Sequence, residues 1–198
     1  MTAPAPVASP GLATLNAAAV AVGLTVSSSA SWPETEADGE PPALAGFIES
    51  SFSPLIAEVA GRVLRGRDRS LEPGTVTAIV IVTTLGDVTS ATRVAATVDA
   101  GRRVPPLLFF QSVPNSVAGY VAARWHLTGP VVCITGTAAG VEVAALLIED
   151  ADADEALVVW VDVALSDGDR DCAAAILVTG PASRERPGPQ EPEKEGNL

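Results

Sequence analysis

Residues Phe109–Gly140 read FFQSVPNSVAGYVAARWHLTGPVVCITGTAAG, and the order of residue types in this stretch decides the fold. The aromatic and polar start reads as a loop. Asn115–His126 follows as a helix, packed closely through the small residues Ala118, Gly119, Ala122 and Ala123. Gly129-Pro130 is a turn, because glycine permits close approach and proline ends the preceding geometry. Val131–Thr135 reads as a buried strand. The small residues of Gly136–Gly140 (GTAAG) then allow a sharp elbow into a short helix over Val141–Glu149.

Upstream, Thr75–Thr84 (TVTAIVIVTT) is β-branched throughout and long enough for a central strand buried on both faces. After Gly86, Asp87–Ala100 is predicted to be a helix capped by Asp87 or Thr89, and Gly101–Pro106 closes that unit. Ala43–Arg65 carries helical spacing, with Leu55, Ile56, Val59, Val63 and Leu64 on one face. Val20–Ser28 reads as a first strand after a loose segment rich in Pro, Ala and Ser. An acidic, Pro-rich loop runs on through Pro42, and charged Gly66–Gly74 breaks the chain again. Downstream, Ala156–Ala164 and Cys172–Thr179 are strands, the last antiparallel to its neighbour because a short acidic turn joins them. Strands alternating with helices indicate an α/β layered domain with a mostly parallel sheet and flanking helices. Within 198 residues the expected division is a loose segment over 1–17, one domain over 18–182 and a disordered tail over 183–198, whose polar sequence cannot bury enough apolar surface to order itself.

The net charge of −12 excludes nucleic-acid binding, which needs clustered Lys and Arg. The acidic runs Glu34–Glu40, Glu149–Glu155 and Asp167–Asp171 read as solubilising surface. No run of about 18 uncharged apolar residues offers a membrane span, and the N-terminus lacks the basic region of a secretory signal. Cys133 and Cys172 lie in apolar strands and read as buried reduced thiols, so a cytoplasmic protein is expected.

Candidate chemistry centres on the elbow. In acyl-transfer enzymes such an elbow exposes a nucleophile near a helix N-terminus, whose dipole favours the thiolate. Ala138 stands there and can perform no such step. Cys133 lies earlier in the strand, and His126 is the only imidazole; both are weak catalytic candidates, since a buried thiol and a cation at a helix C-terminus have structural explanations. Thr135 and Thr137 carry hydroxyls at the elbow, with no base positioned to activate them. The GTAAG segment lacks the Lys and the spacing of a phosphate loop. One His and two separated Cys build no metal site, and no cofactor is implied. Trp32, Trp125 and Trp160 are scattered and read as packing residues; Phe109-Phe110, beside Gln111-Ser112, read as core packing or as the lining of an acyl cavity.

Taken together, Pro114-Asn115-Ser116, Ala118-Gly119, Leu127–Pro130, Ile134, the elbow at Thr137–Gly140 and the strand Ala156–Val163 resemble the N-terminal half of β-ketoacyl synthases, which have a thiolase-like fold. Phe110–Tyr120 and the upstream Ile79–Thr83 with Leu85-Gly86 are more similar still to the atypical subfamily related to chain-length-factor partners. The resemblance covers about residues 18–180 and is strongest over 75–165. It implies half of a thiolase-like fold, with the family's catalytic Cys replaced by Ala138 and its catalytic His and Asn residues in a second half that this chain does not contain. It also implies elbow or acyl-cavity roles for Phe110, Ser112, Asn115, Thr135, Gly136, Thr137, Ala138 and Ala139. In the complete enzymes the strand after Gly-Pro pairs across a dimer interface, so an obligate oligomer is expected here.

The expected function is a non-catalytic ketosynthase-like protein of bacterial polyketide or fatty-acid biosynthesis. It would partner an active ketosynthase, or shape an acyl cavity for intermediates carried on an acyl carrier protein. One alternative is an acyl-processing enzyme (acyltransferase, thioesterase, cyclase or isomerase) using Cys133 or His126. The other is a purely structural homodimer.

Overall fold

β-Branched side chains crowd the preceding turn of a helix but lie well on a pleated sheet. The segment TAIVIV accordingly forms a strand, Thr77–Val82, in which every residue is buried. The computed structural model describes residues 5–67, 74–164 and 170–181. In chain order its elements are α1 (Pro10–Ala21), β1 (Thr25–Trp32), α2 (Phe52–Arg65), β2 (Thr77–Val82), α3 (Val88–Asp99), α4 (Pro106–Gln111), α5 (Asn115–Trp125), β3 (Val131–Ile134), α6 (Thr137–Glu149), β4 (Glu155–Asp162) and β5 (Cys172–Thr179).

The strands form one sheet in the order β1-β5-β4-β2-β3. β2 pairs in parallel with β3, from Ile79↔Val131 to Val82↔Ile134, and with β4, from Thr77↔Glu155 to Val82↔Trp160. β5 runs antiparallel to both β4 and β1, so it alone opposes the common direction. The expected mostly parallel sheet with flanking helices is therefore present, and β5 has the orientation its short connection predicts.

Alternating side chains of the central strands feed two cores. Ile79, Ile81, Leu157, Val159 and Leu177 pack with Leu55, Ile56, Val59 and Val63 of α2 and with Val117 and Val121 of α5. Ala78, Val80, Val158, Ile176 and Val178 pack with Leu15 and Ala19 of α1 and with Val141 and Ala144 of α6. Two helices thus lie on each face. At the turn into β3, the Gly129 N–H bonds the Thr77 carbonyl at 3.2 Å, and a Cβ at Gly129 would overlap that same peptide. The close approach expected of Gly129-Pro130 is what the fold uses.

Several expectations need correction. Pro10–Ala21 is helical, not loose, and buries Leu15 and Ala19, so the folded unit begins well before residue 18. Its Ala-rich sequence shows almost no contrast between faces, which hides the helical period. The first strand starts at Thr25 rather than Val20. The helix expected from Ala43 begins at Phe52. Phe109–Gln111 belongs to the short helix α4 instead of a loop. α5 packs through Val117, Ala118 and Val121, while Gly119 and Ala123 are exposed.

The acidic run ending at Glu155 is only partly solubilising. Glu155 is 1% exposed, accepts from the Thr77 hydroxyl at 2.7 Å and pairs with Arg67 at 2.6 Å. Asp154 accepts the Val76 N–H at 2.8 Å. Arg62 likewise gathers Glu34 at 2.8 Å, Glu58 at 2.8 Å and Asp38 at 3.6 Å, and lies over the Trp32 ring. The expected tail over 183–198 and most of the acidic turn Asp167–Asp171 fall outside the described residues. Among the described residues, no helix is long and apolar enough to cross a membrane.

Candidate functional site

The polypeptide from β2 to β4 makes two parallel crossovers. The first places α5 on one face of the sheet, and the second places α6 on the other. Between such crossovers an open α/β sheet has its switch point, and ligand sites lie outside the carboxyl ends of the strands there. The elbow Thr135–Ala139 is at this end of β3, beside Thr83–Asp87 at the end of β2. The Thr83 N–H donates to the Ile134 carbonyl at 3.1 Å, joining the two strand ends.

The turn itself rests on Gly136, whose φ of 89° and ψ of 121° would strain any side-chain-bearing residue. α6 starts at the next residue, and Gly140 closes the first helical bond by donating to the Gly136 carbonyl at 3.0 Å. Helix entry therefore precedes the expected Val141, and Thr137–Ala139 of the elbow belong to the helix's first turn. No side chain caps it. Thr135, Gly136 and Ala138 are exposed, and Thr137 and Ala139 half-buried. A side chain at position 138 projects from the first turn at the surface of the sheet's carboxyl end. The methyl of Ala138 supplies neither a nucleophile nor a proton.

The other candidates do not converge on this point. His126 is the cap of α5 in the left-handed region, φ 57°, with its N–H on the Ala122 carbonyl. It precedes β3, whereas the elbow follows it. A four-residue strand, roughly 13 Å long at 3.3 Å per residue, separates the two. Cys133 corrects the sequence reading, for it is exposed rather than buried. β3 is an edge strand, and Val131 and Cys133 lie on the face shared with Ile79 and Ile81, where the described residues leave both exposed. The protein around Cys133 still pushes its thiol pKa up by desolvation, which disfavours the thiolate. Burial also raises Cys172, with Asp162 and Asp171 adding to it.

Phe109 and Phe110 do not pack in the core: they are 62% and 54% exposed. Ser112 donates to the Phe109 carbonyl at 2.7 Å, and Asn115 stands exposed at the start of α5. A cleft of about 530 Å³ opens nearby, but Leu107, Leu108 and Gln111 of α4 line it, not Phe110, Ser112, Asn115 or the elbow. Sequence reasoning missed this cleft. Its only signal was the pair Arg102-Arg103 in an acidic chain.

No protein-family model and no curated protein matches the chain. Solved structures do. A chain from the complex of a ketosynthase with its chain length factor from Xenorhabdus doucetiae superposes with a TM-score of 0.61 at 16% identity. The match covers 81% of this chain and 80% of that one, so the two are of nearly equal length. A chain of the ishigamide ketosynthase/chain length factor gives 0.59 at 20% identity, covering 75% of this chain and 49% of that one. An oxazolomycin ketosynthase domain from Streptomyces albus gives 0.51 at 13% identity, and this chain spans 27% of it. The chain has the fold of a ketosynthase-like N-terminal half, as the residue pattern around the elbow implies.

Proposed function

We propose that this chain is a non-catalytic, ketosynthase-like partner protein of polyketide or fatty-acid assembly that works bound to an active ketosynthase. The observation that carries this reading is the elbow: strand, positive-φ Gly136 and helix start are in place, and Ala138 stands where the resemblance puts the family's nucleophile. Support comes from the edge strand β3, whose outer backbone groups a second chain can pair. The match to a chain of similar length in a ketosynthase and chain length factor complex points the same way. On this reading the unit from Pro10 to about residue 182 is one half-domain. Phe110, Ser112, Asn115 and the elbow residues Thr135–Ala139 face the partner's acyl intermediates, delivered on an acyl carrier protein.

The exposed Cys133 is the one observation that favours an acyl-processing enzyme instead, and its raised pKa counts against it. Native and intact mass spectrometry of the chain co-expressed with its ketosynthase and carrier protein decides between them. A stable heteromer with no acyl on this chain is expected. An acyl adduct on Cys133, abolished by Cys133→Ala, would overturn the proposal. A homodimer that ignores both candidates would leave only a structural role.

A further inference from the structure

A second place on the molecule combines charge and apolar surface without the elbow. The cleft of about 530 Å³ between α3, α4 and the loop before α2 has the size of a small-molecule site, about 300–1,000 Å³. Its walls are tied in place. Gln111, 3% exposed, donates its amide to the Gly46 carbonyl, fixing α4 to the loop. Phe47 sits edge-on to Tyr120 of α5, with ring centroids 6.3 Å apart. Asp87 caps α3 by accepting from Ser90 N at 3.0 Å and Ser90 Oγ at 2.7 Å.

Arg93, Arg102 and Arg103 line the cleft together with Ile48, Leu107 and Leu108. Glu49, also in the lining, accounts for Arg93 through a 2.8 Å pair. Arg102 and Arg103 have no carboxylate within ion-pair distance among the described residues, although the chain carries 24 acidic residues against 12 basic ones. Elsewhere Arg62, Arg65 and Arg67 are paired with carboxylates, and Arg124 lies over the Trp125 ring instead. Two guanidinium groups left over at the mouth of a partly apolar cleft fit an anion with an apolar body. Arginine holds carboxylate or phosphate oxygens by paired charge-assisted bonds, and Ile48, 79% exposed, and Leu107, 55% exposed, offer aliphatic surface beside them.

We infer that this cleft binds an amphipathic organic anion, with its acidic head on Arg102 and Arg103 and its aliphatic part along Ile48, Leu107 and Leu108. The site is independent of the elbow, so it stands or falls apart from the partner reading.

Titration of the full chain with octyl phosphate, octanoate, octanol and inorganic phosphate, below micelle-forming concentrations, tests it. Saturable binding of an octyl anion, at least tenfold tighter than octanol and weakened by salt, is expected. Binding of both anions, or of octyl phosphate alone, supports the site and separates a general anion from a phosphate preference. Arg102→Ala with Arg103→Ala should reduce affinity roughly tenfold or more. Leu107→Glu, a change at an exposed rim position that leaves both arginines in place, should do the same and provides the test if the double variant folds poorly. Equal affinity for octanol, binding unaffected by these substitutions, or no saturable binding would overturn the inference.

Discussion

The centre of the sheet and its β3 margin differ sharply. In the centre, on β4 and β5, Ala156–Val159 and Ala173–Val178 are buried on both faces, with α2 on one and α1 and α6 on the other. On the β3 side, Val131 and Cys133 are open to solvent, and α4 with the turn after it exposes Leu107, Phe109, Phe110 and Val113 at 43–62%. Both regions are built from apolar sequence. What differs is how fully the described residues cover each one, and at β3 the cover is incomplete. A patch of that kind is the usual mark of an interaction site, and it is where the partner proposed above would sit.

The strongest way to break this contrast is to truncate one residue in each region. Leu157→Ala removes a fully buried side chain between the two layers and should cost roughly 2–5 kcal/mol in urea denaturation. Val131→Ala should cost less than about 0.5 kcal/mol, because its side chain already meets water. Equal losses would mean that the β3 margin is sealed after all. Phe110→Ser should leave the fold intact and weaken assembly with a ketosynthase; an unchanged complex would remove α4 from the interface.

Next in size is the ion pair at the opposite, amino-terminal end of the parallel strands. Glu155, with its side chain 2% exposed, holds both Arg67 and the Thr77 hydroxyl. Removing one member of a buried pair strands the other, which costs about 3–5 kcal/mol. Arg67 keeps 21% exposure and can reach water, so Glu155→Ala should fall near about 3 kcal/mol. A loss within about 0.5 kcal/mol, typical of a surface site, would show that the pair adds nothing beyond a solvated contact.

These two sites also mark what the sequence could show. Thr77–Val82 was legible because β-branched residues in an unbroken run have one good conformation. α2 was legible because its apolar residues keep the helical period, and Asp87 because a cap needs only local spacing. α1 was hidden, since small apolar residues on every side erase the period. Burial of Glu155 and exposure of Cys133 depend on strand order, which places Thr77 beside Glu155 and puts Cys133 on an edge strand paired on one side only, with β2. The elbow's geometry was legible in Gly136–Gly140, whereas the cleft joins Ile48 to Arg102, residues far apart in sequence. Local chemistry can be read from a chain; the neighbours that long-range packing assigns to it cannot.

Asp87→Ala sharpens the contrast at smaller scale. Asp87 is 5% exposed and makes the two bonds to Ser90 that start α3. Loss of an N-cap costs about 1 kcal/mol. Within α3 only Ser90 is buried, so the helix should fray locally, with faster amide exchange over Val88–Asp99 and little change in β4 or β5. Exchange rising uniformly across the sheet would instead make α3 part of the cooperative core.

The smallest effect expected is at Asp38, on the loop that follows β1 and is held to α2 through Arg62. The N–H groups of Thr35 and Glu34 hold its carboxyl below the ordinary aspartate value, with Arg62 nearby adding to the effect. A depressed pKa means that the charged form is favoured in the folded state. The stabilisation is therefore complete above the unfolded value of about 3.9 and is lost as the pH falls through the lower folded value. Asp38→Asn should lower the melting temperature slightly at pH 7, and the gap to the parent chain should close as the pH falls well below the unfolded aspartate value. A gap that widens in acid would require the opposite sign of shift, with Asp38 protonated in the native loop and Arg62 balanced by Glu34 and Glu58 alone.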